Sequence, residues 1–156
     1  LAFDYLEQPE EDIEVQEKFN VIRELDFFSE FPESELWEII RACIWQQFEA
    51  GSEIIVEGDI DDSFYIITSG DVEVYKDGAL IGCLKTGDCF GEMSYLSKAK
   101  RTATITAQTK VDLMKVNATL IEQASIECQL HFSRIFMQTL VKRLSETTAM
   151  YVSTQD

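Results

Sequence analysis

Between Gly91 and Thr104 the chain gathers residues that suit an anion and a hydroxyl group at once. Gly91 stands at the start of a short helical run, where backbone N–H groups are open to an anion with no side chain in the way. Arg101 adds a planar, permanently charged fork that can grip a phosphate with two parallel hydrogen bonds. It is followed by the small or hydroxylic residues Thr102, Ala103 and Thr104. Glu92 is the odd member, because a carboxylate repels phosphate. It makes sense as the acceptor for another part of the ligand, such as a sugar hydroxyl. An anion seat joined to a hydroxyl acceptor is chemistry suited to a nucleotide.

The elements that must position these groups can be read from periodicity. From about Glu17 the apolar residues recur with a helical period, first Phe19, Ile22 and Leu25. After Pro32 come Leu36, Ile39, Ile40, Cys43 and Ile44, spaced as the face of a second helix. Near Gln46 the period changes to alternation, and β-type runs recur at 54–56, 64–68, 72–75, 80–84, 102–106 and 111–116. The seven glycines all fall within this stretch and punctuate it, and Lys76-Asp77-Gly78 reads as a hairpin turn. Short strands at such intervals predict a β-sandwich or roll. After Asn117, a good N-cap, the helical period returns. The last helix carries Phe132, Ile135, Phe136, Leu140, Leu144 and Tyr151 as a stripe that serves core packing, a lid or a dimer seam.

Composition narrows the function classes. Twenty-nine acids against thirteen bases leave a net charge of −16, which argues against nucleic-acid binding by this chain. It also makes any phosphate site depend on local cations, here Lys98, Lys100 and Arg101. No apolar run is long enough to span a membrane. Cys43, Cys83, Cys89 and Cys128 form no C-x-x-C pair, and with one histidine, His131, a zinc site is not expected. Cys43 and Cys83 fall on apolar positions and read as free core thiols. Asp59, Asp61 and Asp62 lack the loop length and terminal Glu of an EF-hand. A lone histidine with no nucleophile–base constellation gives no reason to propose catalysis. The acidic residues 1–16 read as a solvated leader or a docking segment, and the start at Leu1 suggests a piece of a longer protein.

The stretch Phe90 to Thr104, FGEMSYLSKAKRTAT, resembles the phosphate-binding cassette of cyclic nucleotide-binding domains. This is the family of the catabolite activator protein and the regulatory subunits of cyclic-AMP-dependent kinase. Phe-Gly-Glu, an aliphatic then a small residue, arginine nine positions after the glutamate, and a closing small-Ala-Thr all match. Gly51, Gly58-Asp59, Asp62-x-Phe-Tyr-Ile-Ile, Gly70-x-Val-x-Val and Gly87-Asp88 extend the resemblance to about residues 20–150. It departs at Lys98 and Lys100, where Gly and Pro are common.

The resemblance implies an α+β fold. An eight-stranded antiparallel β-roll, a double-stranded β-helix of jelly-roll type, is flanked by N-terminal helices and a long C-terminal helix. The expected division is a leader 1–16 and a domain 17–156, with N-terminal helices 17–45, roll 46–116 carrying cassette 90–104, and lid or dimer helices 117–156. Gly91 and Ala103 would offer amides to the phosphate, joined by the Ser94 hydroxyl, and Arg101 would pair with it. Glu92 would accept the ribose 2′-hydroxyl, and Asp62 would pair with Arg101 behind the site. Val74 and Met93 would wall the sugar and base. Thr102 suits guanine's amino group, whereas Thr147 and Thr148, with Tyr151 stacking, suit adenine.

The reading is a non-catalytic, cytoplasmic regulatory domain with no cofactor. Its ligand is cAMP, with cGMP as the alternative, and its other partners are an effector domain and a second copy through the C-terminal helix. Its rivals are a ligand-free interaction module on the same roll and a cupin-like metal enzyme, which would want several histidines.

Overall fold

The computed structural model describes residues 9–97 and 100–155, and leaves aside the side chains of residues 9–13, 93, 94, 143 and 146–155. The first element is a helix, α1, over Pro9–Arg23. It starts well before Glu17, so the acidic stretch is helical from Pro9 onward, with Glu14 and Gln16 exposed on the helix. Proline is favoured in a first helical turn, and Glu10, Glu11 and Asp12 sit where the helix dipole favours anions. A 3₁₀ turn at Asp26–Phe28 and helix α2 at Glu33–Ala42 follow. Phe19 and Ile22 of α1 and Leu36, Ile39 and Ile40 of α2 are buried, the faces expected from their spacing.

Eight strands follow among the described residues: β1 Ile44–Phe48, β2 Glu53–Ile55, β3 Phe64–Ser69, β4 Asp71–Lys76, β5 Ala79–Lys85, β6 Cys89–Phe90, β7 Thr104–Ala107 and β8 Val111–Val116. They form two antiparallel sheets with orders β1-β8-β3-β6 and β2-β7-β4-β5. The expected antiparallel roll is present, with β1 and β6 added to the strands read from alternation. Ile44 fits the helical stripe by spacing, yet α2 ends at Ala42 and Ile44 begins the edge strand β1, where it is exposed.

β3 is buried at every position but the last, because its sheet is covered on both faces. Tyr65 and Ile67 point between the sheets with Val72, Ile105, Val111 and Leu113. Phe64 and Ile66 point the other way, into a second core shared with the helices.

Short helix α3, Glu92–Ser97, interrupts the roll, and α4, Ala118–Ile121, follows it. The Asn117 carboxamide accepts from Leu120 N at 2.9 Å, the cap expected from its type. A single 30-residue helix, α5, runs from Ile126 to Gln155. Its stripe divides: Phe132, Ile135 and Phe136 are buried, Leu140 packs partly, and Leu144 is exposed.

Phe64 is the hinge of the aromatic core, with ring centroids 5.7 Å from Phe132, 4.8 Å from Phe136 and 4.9 Å from Tyr95 of α3. Polar ties hold the start of α5 to α2. Glu38 accepts from the Ser125 amide at 3.0 Å and its hydroxyl at 2.9 Å, and His131 Nδ1 lies 2.8 Å from buried Glu35. Cys43, Cys89 and Cys128 are buried, but Cys83 on edge strand β5 is exposed, against the expectation of a core thiol. Burial pushes the Cys43 and Cys128 thiols up to about 12. Among the described residues, no helix is long and apolar enough to cross a membrane.

Candidate functional site

Gly91 ends β6 and opens α3 with φ +83°, a conformation that L side chains rarely adopt. Space excludes a side chain as well. A Cβ here would lie 2.7 Å from Arg101 Nη1 and 3.2 Å from the Ser63 carbonyl. The glycine therefore serves both the turn and the arginine behind it.

Arg101 is 4% exposed, rare burial for a cation. Its backbone is held by the preceding loop: Arg101 N donates to Asp59 O at 2.8 Å, and Gly58 N donates to Arg101 O at 2.9 Å. Its side chain donates from Nη1 to Gly91 O at 3.1 Å and from Nη2 to Ser63 O at 2.6 Å. Nη2 also lies 3.2 Å from Asp61 Oδ2. Nε, equally buried, has no partner.

The acid behind the arginine is thus Asp61, which corrects the assignment of Asp62. Asp62 is exposed. Asp61 is fixed by an Asx turn in which Oδ1 accepts from Ser63 N at 3.0 Å. Burial works against its ionised form. The Ser63 amide, the Arg101 guanidinium and Lys115 outweigh that effect, and the carboxyl titrates below its ordinary range. Burial, then the neighbouring Asp61 charge, pushes the Tyr65 phenol up to about 12.

Around this arginine lies a cavity of about 200 Å³. Gly91, Glu92, Arg101, Thr102 and Ala103 form one side, from the cassette. Val74 of β4 lines it as expected, joined by Ile55, Leu84, Phe90 and Ile105, which sequence reasoning did not single out. Their strand alternation marks them as inward-facing, but not as facing this cavity. Lys76 was also missed: its Nζ donates to Thr102 O at 3.1 Å and ties the cassette to the β4–β5 hairpin.

The side chains of Met93, Ser94, Thr147, Thr148 and Tyr151 lie outside the described ones, as does Lys98. Among the described residues, no side chain of α5 lines the cavity. The cavity thus joins apolar strand residues to a buried guanidinium whose Nε lacks a partner.

Comparison with known proteins gives the family of the chain. The model of the cyclic nucleotide-binding domain matches residues 45–125, just over half of the chain. The chain belongs to the cyclic nucleotide-binding domain family. A cAMP-dependent protein kinase regulatory subunit of Yarrowia lipolytica is 37% identical over 92 residues, 58% of this chain and 24% of that protein. A cGMP-dependent protein kinase of Toxoplasma gondii is 35% identical over 97 residues, 62% of this chain and 10% of that protein. The chain therefore spans about a quarter or less of these relatives. A solved cyclic nucleotide-binding domain from Methylobacillus flagellatus shares the fold with TM-score 0.78 at 20% identity, covering 92% of this chain and 85% of that one.

Proposed function

We propose that this domain binds cAMP in the cassette cavity and reports its occupancy through α5 to an effector domain of a longer cytoplasmic protein. The observation that carries the reading is Arg101: a buried guanidinium, held on two sides by protein oxygens, with Nε unpartnered. A phosphate oxygen supplies the acceptor that Nε lacks. The Gly91 and Ala103 amides and the Ser94 hydroxyl complete the anion seat. Glu92 accepts from the ribose 2′-hydroxyl, and Val74 and Met93 flank sugar and base. Asp61 takes the role of orienting Arg101.

The base is chosen between Thr102, which lines the cavity and suits guanine, and Thr147, Thr148 and Tyr151 of α5, which suit adenine once the helix covers the mouth. The regulatory-subunit relatives support cAMP, and cGMP is the alternative. A route for transmission starts at Tyr95 of the cassette helix, whose ring lies 5.3 Å from that of Phe136 on α5. A ligand that fits one placement of α5 better than another shifts the population towards it. Ile126, Leu130, Met137, Val141 and Leu144 are exposed on α5 at helical spacings, away from Phe132, which supports a second copy as partner along this helix.

Parallel calorimetry with cAMP and cGMP tests binding and base choice together. The expected result is tighter binding of cAMP, weakened at least about tenfold in Arg101→Ala, equivalent to roughly 1.4 kcal/mol. Equal affinity of both proteins for cAMP overturns the role of Arg101. No thermal shift at millimolar cAMP or cGMP would favour the ligand-free interaction module.

A further inference from the structure

Among the described residues, four buried side-chain polar atoms lack a hydrogen-bond partner: Arg101 Nε, Trp45 Nε1, Gln46 Oε1 and Asp112 Oδ1. The first is in the cassette cavity. Gln46 stands opposite Leu113 and faces the space between the sheets, whereas Trp45 and Asp112 face the other way and line a single groove of about 580 Å³, which shares no residue with the cassette cavity. Unpartnered buried polar atoms are rare in native proteins, so two at one groove, a donor and an acceptor, mark a place where a partner belongs.

The groove lies between α1 and the sheet face that β1, β8 and β3 form. Asp112 alternates with Met114 and Val116, so it points to the helix-covered side. Glu14, Glu17 and Lys18 form the rim from α1, outside the residues that match the family model. None of the lining residues lines the cassette cavity.

Their chemistry selects the occupant. The lining carries the carboxylates of Glu14, Glu17 and Asp112 against the single ammonium of Lys18. Lys18 is engaged, with Nζ 3.3 Å from Glu14 and 5.3 Å from the centre of the Trp45 ring. Three carboxylates against one ammonium leave the lining net negative, which favours a cationic occupant that donates N–H groups. A guanidinium fits: it has five donors and no acceptor, pairs with carboxylates through two parallel bonds, and stacks on tryptophan. Trp45 Nε1 is a donor and asks for an acceptor, which a peptide carbonyl supplies and a free amine does not. β1 is also the outermost strand of its sheet, beside which an extended segment can lie. We infer that this groove is a second binding site, for an arginine side chain on an extended basic segment of a partner protein.

The chain has two tryptophans, so its ¹H–¹⁵N spectrum has two indole N–H signals, which Trp37→Phe assigns. The test titrates the chain with acetyl-Gly-Arg-Gly-amide and with the same peptide carrying uncharged citrulline. The expected result is a saturable shift of the Trp45 indole with arginine and little with citrulline. Asp112→Asn and the exposed-site variant Glu17→Gln should each weaken the arginine peptide by about three- to tenfold. Glu17→Gln leaves the core untouched, so it stands as a test if Asp112→Asn does not fold. The inference is overturned by no indole shift at millimolar peptide, by equal shifts with citrulline, or by unchanged affinity in Glu17→Gln and in any folded Asp112→Asn.

Discussion

The cassette side and the helical side of this domain are built differently. Around the cassette, backbone does the positioning: Arg101 is gripped by the Gly91 and Ser63 carbonyls and by main-chain bonds to the 58–59 loop. On the helical side, α5 is held by interchangeable side-chain contacts, chiefly the rings of Phe132 and Phe136 on Phe64, and by ties from Glu35 and Glu38. Backbone bonds within a roll cannot be rearranged without breaking strands, whereas side-chain contacts can be exchanged with every strand intact. In the proposed function, the first side is the fixed receptor and the second the part that moves.

The sharpest way to break this contrast is to remove a ring from the helical side. Phe132→Ala should cost about 3–5 kcal/mol of stability by urea unfolding. The affinity of the molecules that remain folded should stay near that of the parent protein. An affinity loss as large as that of Arg101→Ala would mean that the two sides are one unit. On the cassette side, Gly91→Ala combines strain at φ +83° with a collision against Arg101 and should cost about 1–3 kcal/mol. It should also displace the arginine and weaken cyclic nucleotide binding. Normal binding in that variant would show that the guanidinium does not need its seat.

Smaller effects refine the picture. Glu38→Ala removes the acceptor for the Ser125 amide and hydroxyl and should cost about 1 kcal/mol, accompanied by faster amide exchange at the start of α5. Unchanged exchange there would remove Glu38 from the tie. Smallest is the pH dependence of Asp61. Its carboxyl is held below the ordinary value in the fold, so its contribution is present above the unfolded value. It fades as pH falls through the folded one, within a window that opens below about pH 5. Asp61→Asn should flatten the loss of stability across that window, and an identical acid profile would show that Asp61 does not contribute.

Much of this architecture is legible in the chain. The cassette residues Gly91, Glu92, Arg101, Thr102 and Ala103 converge because their spacing encodes a turn, a short helix and a returning strand. β8 and the Asn117 cap follow from alternation and side-chain chemistry alone. What was hidden depends on three dimensions. Asp61 and Asp62 are equivalent in type, and only the facing of each side chain decides which meets Arg101. β6 has two residues, too few for a period, and exists because β3 offers it a ladder. Cys83 looks like a core residue until β5 proves to be an edge strand. The start of α1 was legible in principle, through Pro9 and its acids, but its charge reads as solvation when no packing partner is known.

The length of α5 carries a mechanical consequence. Thirty residues of helix make a rod of about 45 Å, pinned near one end by Glu38 on Ser125 and by Glu35 on His131. A tilt of only about 10° at that pin sweeps the far end through roughly 8 Å, by the geometry of a rod of that length. Displacements too slight to disturb the roll thus become, at Gln155, strokes wider than the separation of two neighbouring β-strands.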